Sequence, residues 1–195
     1  LAAAGAGHSL VPKVTDDQAD GRLDAGWFWR ASAYRGGSPG RHDPEPHAAT
    51  VVLNEIMAHT DGDPPYESDD WIELHNTTAA AFELGDGWYL SDDADELKAW
   101  RIPATNVVAA GGWLSFDEID DFHYAVTNGF GLSKGGDEVF LSYLPGTPHD
   151  QVVDCVRFDG QEDTLSLGRY PDGDGNWVAC RLTRDASNEL PSTPL

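Results

Sequence analysis

The apolar positions of this chain fall in short runs separated by clusters of Asp, Gly, Pro, Asn and Ser. The clearest stretch is Val51–Asp93, which holds three such runs: Val51–Met57, Trp71–Leu74 and Gly87–Leu90. Each is rich in β-branched or aromatic residues and bounded by turn formers, which is strand punctuation. In Trp71–Asn76, Ile72 and Leu74 point one way, while Trp71, Glu73 and His75 point the other. Trp88 and Leu90 repeat that alternation. Further strands are predicted near Lys98–Ile102, Gly112–Phe116, Phe130–Leu132, Glu138–Leu144, Gln151–Phe158, Thr164–Arg169 and Trp177–Cys180. The GG, NG, PG and DG pairs between them supply the turns. Phe116–Val126 has room for one helical turn, and no amphipathic helix of three turns is present. Runs so short cannot bury a face alone, so they predict an all-β sandwich of two packed sheets.

The N-terminal region reads differently. Residues 1–7 are small and featureless, and WFWRASAYRGGSPG places Trp27 and Trp29 on one side of a strand that ends at Gly36–Gly40. RHDPEPHA, residues 41–48, has linker composition. The predicted organisation is therefore residues 1–47 as an extension, the end of a preceding module plus a linker, and residues 48–190 as the sandwich. The chain begins at Leu1 without a leader-like segment and reads as a piece of a longer protein. No run approaches the length of a membrane-spanning helix.

Charge narrows the partners. The 195 residues carry 34 Asp and Glu against 12 Lys and Arg, a net of −22. Such a field repels nucleic acid and anionic membranes, and favours cations or basic partners.

Several constellations bear on chemistry. Gly131-Leu132-Ser133-Lys134-Gly135 matches G-x-S-x-G, but a strand-like run follows where a nucleophile elbow needs a helix, so a hairpin turn is expected and no residue is assigned as catalytic. The seven His residues show no zinc spacing. The acidic loops Asp61-x-Asp63, Asp92-Asp93-x-Asp95 and Asp172-x-Asp174 supply the oxygen ligands calcium favours and are candidate metal residues, with calcium the candidate cofactor. Asn54, Glu55, Glu73, Asn76, Asp154 and Arg169 are polar residues inside or beside apolar strands, where buried groups must find partners. Glu73 or Glu55 is expected to meet Arg169 or Arg101. Cys155 and Cys180 are a candidate disulfide, on the premise that a secreted module favours oxidation.

The motifs VVLNEIMA, WIELHN, LGDGWYLSDD, KAWRIPA, GGWLSF, FGLSKGGDEVFLS, VVDCVRF and LGRYPDGDGNW, in that order through residues 50–188, resemble the lamin tail domain. One departure is the close: RLTRDASN stands where the family has a Pro-Thr-Pro-Gly-like turn. The resemblance implies an immunoglobulin-like β-sandwich, of the kind found as an accessory module in large secreted or surface proteins. It implies binding, spacing or anchoring rather than turnover. The expected function is a non-catalytic extracellular or cell-surface interaction or spacer module. Its expected partners are other domains of the same polypeptide, or surface proteins or polysaccharide. Two alternatives stay open: a calcium-dependent carbohydrate- or polymer-binding module, with Trp27, Trp29, Trp88 or Trp113 as candidate aromatics, and an accessory domain of a neighbouring hydrolase.

Overall fold

In the computed structural model, residues 8–12, 29–35, 37–40, 43, 50–58, 70–123, 129–147, 150–162 and 164–192 are described. The N-terminal region contributes a two-stranded antiparallel sheet of its own, β1 (His8–Pro12) and β2 (Trp29–Arg35). The linker expected at residues 41–48 lies largely outside the described residues.

The sandwich begins with β3 (Val51–Ala58) and β4 (Asp70–Asn76), which pair antiparallel. After them come β5 (Phe82–Glu83), β6 (Trp88–Ser91), β7 (Trp100–Arg101), β8 (Val107–Val108) and β9 (Trp113–Asp117). The last four are β10 (Gly136–Tyr143), β11 (Gln151–Asp159), β12 (Ser166–Arg169) and β13 (Trp177–Cys180). One sheet has the order β13-β12-β3-β4-β9 and the other β11-β10-β6-β7, while β5 and β8 form a small pair. A single π-helical turn, Glu118–Phe122, follows β9, within the segment expected to hold one helical turn. Phe130–Leu132, expected as a strand, joins no ladder; Phe130 and Leu132 are nonetheless buried in the core.

The core lies between the two large sheets. Ile72 and Leu74 of β4, Leu90 of β6, Val139 and Leu141 of β10 and Val156 and Phe158 of β11 belong to one buried cluster. The alternation read in β4 is thus the alternation that packs the sandwich. β3 breaks it once: Val51, Leu53, Ile56 and Ala58 all face the core, because the register with β4 shifts between Leu53 and Glu55. This bulge at Asn54 turns two successive side chains, Asn54 and Glu55, to the outer face.

Both outer faces are covered. On the four-stranded sheet, Leu97 packs with Phe140, Leu144 and Val152. On the five-stranded sheet Trp71, Glu73 and His75 are buried, and the chain after β13 lies over that face.

Candidate functional site

The outer face of the five-stranded sheet carries a buried polar network. It starts from the bulge. Asn54 Nδ2 donates to Glu73 Oε1 (3.0 Å) and to Asp172 Oδ1 (3.1 Å), and Asn54 Oδ1 accepts from the Gly173 amide (3.0 Å). Glu55 accepts from the Ser166 hydroxyl, from the Thr183 amide (3.1 Å) and from Thr183 Oγ1 (2.8 Å). Glu73 accepts from the Asp185 amide at 2.6 Å. Glu55 and Glu73 are both 0% exposed.

The segment Arg181–Glu189 is the strap that closes this face. Asp185 holds a left-handed backbone, φ 60°, a conformation Asp tolerates better than most residues; its amide meets Glu73. Its Oδ1 accepts from Ser115 (2.9 Å), and Arg184 binds Ser115 Oγ (2.9 Å) and Asp117 Oδ2 (3.1 Å). Asn188 Nδ2 donates to the carbonyls of Asn54 (3.2 Å) and Arg169 (2.8 Å). Gly168 makes room for it: a Cβ there would stand 2.7 Å from Asn188 Nδ2 and 2.9 Å from Cys180 Sγ.

Burial sets the electrostatics. It raises the Glu55 carboxyl above its ordinary value, and it pushes Glu73 up to about 9, with the Glu55 charge adding to the effect. Cys180, also by burial, is pushed up to about 11. His75 is lowered by burial. Two carboxyl groups with raised pKa would suit acid–base work in an open cleft. Here neither has solvent contact and both are occupied by the strap and sheet, so the pair acts as a structural lock.

The other polar residues singled out in the sequence find partners too, not always the expected ones. Arg169 does not meet Glu73 or Glu55. Its guanidinium binds Asp154 (2.9 and 3.0 Å), the Leu53 carbonyl (2.7 Å) and the Asp174 carbonyl, and lies 4.7 Å over the Trp177 ring. Asp154 also accepts from the Leu53 amide (3.0 Å), so the pair clasps β11 to β3 and β12 across the two sheets. Arg101 pairs with Asp86 instead. The cause is the pleat: Glu55 and Glu73 sit on the outer face, whereas Arg169, on the side of β12 that Leu167 presents to the core, reaches Asp154 of the other sheet. Asn76 is fully buried and donates to the carbonyls of Ala80, Val108 and Ala109, tying β4 to β8.

The candidate metal residues are not brought together. Asp61 and Asp63 lie outside the described residues. Asp172 serves Asn54, the Asn188 amide and Ser187, and Asp174 accepts from the Gly175 amide. Asp93 caps the Asp95 amide (2.8 Å), and burial raises Asp92. No group of three His, Cys, Asp or Glu side chains among the described residues is arranged to hold an ion. The expected disulfide is not formed: Cys155 and Cys180 are free thiols. Cys155 belongs to the β11-β10-β6-β7 sheet and packs with the cluster on its outer face, whereas Cys180 lies under the strap on the other sheet. Ser133 sits in a turn that leads into β10, its amide donating to Asp137 (2.9 Å); a strand follows it, as expected, but none pairs before it, so the turn is not the hairpin expected.

Thr183, Asp185 and Asn188 were not read from sequence as site residues. Their only signal is that RLTRDASN is rich in residue types that bind backbone groups outside regular structure.

A strap-locked, antiparallel two-sheet sandwich defines an immunoglobulin-like module with no open acid–base cleft in its network. The chain belongs to the Lamin Tail Domain family, whose model matches residues 44–158, more than half of its length. β12 lies beyond the matched stretch, yet it stands inside the five-stranded sheet, between β13 and β3. No curated protein and no solved structure shows a match to the chain.

Proposed function

We propose that this chain is a non-catalytic interaction or spacer module of a larger secreted or cell-surface protein. Its partners are neighbouring domains of that protein, or surface proteins or polysaccharide. One observation carries the reading: the carboxyl groups most suited to chemistry, Glu55 and Glu73, are sealed and spent on holding the strap. The family supports it, being an immunoglobulin-like interaction fold. The strongly acidic surface favours basic or cationic partners over nucleic acid.

The test has two arms. The purified chain is assayed against ester, peptide, glycoside and nucleic-acid substrates, with no turnover above a blank expected; activity that disappears in Ser133→Ala would defeat the reading. Fractionation of cells making the parent protein is expected to place it outside the cytoplasmic fraction.

A further inference from the structure

Among the described residues, a cleft opens at one end of the sandwich. Trp88, Tyr143 and Gln151 stand side by side there, on one rung of the four-stranded sheet, since Tyr143 pairs with Trp88 on one side and Gln151 on the other. With Phe82 and Glu83 of β5, and with Val153, they line a cleft of about 270 Å³. The Phe82 ring meets Trp88 edge-on with centroids 5.8 Å apart, and Tyr143 lies 5.3 Å from Trp88 at a tilt of 43°. The cleft is therefore walled by three aromatic rings, with the exposed Glu83 carboxylate at its rim.

Gln151 is the unusual member. It is only 5% exposed, yet its side-chain amide makes no hydrogen bond to any described residue. With no partner among the described residues, that amide is free to hydrogen-bond whatever enters the cleft. The lining dictates which ligand. Aromatic faces, a carboxylate and an amide oxygen all attract positive charge, and no Lys, Arg or His is among the described lining residues. The net charge of −22 adds to the pull.

Building on the interaction-module reading, we infer that this cleft binds a primary alkylammonium group, either the side chain of a partner's lysine or a small free diamine. The alkyl part lies against Phe82, Trp88 and Val153, and the ammonium donates to the Gln151 amide oxygen and faces Glu83. A quaternary ammonium has no N–H to give Gln151, and a neutral sugar gains nothing from Glu83's charge.

The full chain is titrated at constant ionic strength with n-butylammonium chloride and, separately, with 1-butanol. Amide and indole NMR signals of Gln151 and Trp88 report the cleft. Saturable shifts are expected with the ammonium, and binding of 1-butanol roughly tenfold weaker. Gln151→Leu should weaken the ammonium roughly tenfold, and Glu83→Gln, on the exposed rim, roughly threefold. Circular dichroism checks each variant's fold; Glu83→Gln remains decisive if Gln151→Leu does not fold. Preference for Nα-acetyl-lysine amide over 1,4-diaminobutane assigns the group to a partner's side chain, and the reverse to a free diamine. Equal response to 1-butanol, binding of cellobiose in place of the ammonium, or no shift at the cleft overturns the proposal. Such a failure leaves the interaction-module reading standing on other surfaces, whereas turnover by the chain removes that reading and leaves the cleft titration interpretable.

Discussion

Glu73 has no contact with solvent, and its carboxyl is pushed up from 4.5 to about 9 by burial. Folding therefore takes up a proton across that interval. The contribution favours the folded state in full below about 4.5, and is lost as pH rises toward 9, because the unfolded chain ionises first. Glu55 moves in the same direction. Glu73→Gln keeps the shape and neutrality of the protonated acid. Denaturant unfolding of both proteins from pH 5 to pH 9 should show the variant gaining on the wild type as pH rises; parallel curves would mean Glu73 is not the titrating group. Cys155 and Cys180 give a second residue-scale expectation. Alkylation of the denatured, non-reduced protein should add two groups, whereas in the native state Cys180, buried and with its thiol pushed up to about 11, should react far more slowly than a free thiol in solution. Sequence could pick out Asn54, Glu55 and Glu73 because polar residues in apolar strands must be paired. It could not name the partners: Glu55 and Thr183 are 128 residues apart, and no local periodicity encodes a contact of that range.

At the scale of elements, strands marked by an apolar run are legible, whether they alternate, as β4 does, or slip, as β3 does. β4 declares its two faces through Ile72 and Leu74 against Trp71, Glu73 and His75. β5 and β8 are two residues each, too short to show a period. The β3 bulge is hard to place, since the adjacent polar pair Asn54 and Glu55 interrupts the apolar run without showing where the alternation slips until its register with β4 is known. The strap is the largest omission, because polar loops carry no pattern and its order comes wholly from the sheet beneath. Its weight is testable. Ending the chain after Arg181 removes the hydrogen bonds from Thr183, Asp185 and Asn188. At roughly 1 kcal/mol net for each bond, the loss should be about 3–5 kcal/mol. The same truncation opens Glu73 to water, so the pH dependence expected of the full chain should flatten in the shortened one. A truncated protein as stable as the full chain would show that the strap rests on the sheet without holding it. Gly168→Ala approaches the same question by crowding Asn188 and Cys180 from below, with an expected cost of roughly 1–3 kcal/mol.

For the whole molecule the governing quantity is charge. Thirty-four acidic side chains against twelve basic ones place like charges close together on a small surface, and only three of the basic residues are Lys. The ion pairs that exist are local. Arg169 is taken up by Asp154 and Arg184 by Asp117, so these cations neutralise partners inside the sandwich and under the strap and leave the outer field to the carboxylates. Folding concentrates that field, because the compact state brings together charges the unfolded chain keeps apart. Salt screens such repulsion over about 8–10 Å at moderate concentration, and buried pairs such as Asp154–Arg169 are screened much less. The thermal midpoint should therefore rise between low and moderate NaCl, and the rise should survive Glu73→Gln, since that side chain is neutral in the folded wild type up to about pH 9 and in the variant at any pH. Calcium chloride at the same ionic strength separates two causes. A midpoint that follows the NaCl curve reflects screening alone, whereas a far larger rise at millimolar calcium identifies a specific site among the acidic loops. A midpoint flat across the NaCl range would mean that the carboxylates are spaced too widely to repel one another, and the preference for cationic partners would then rest on the aromatic cleft and not on the surface as a whole.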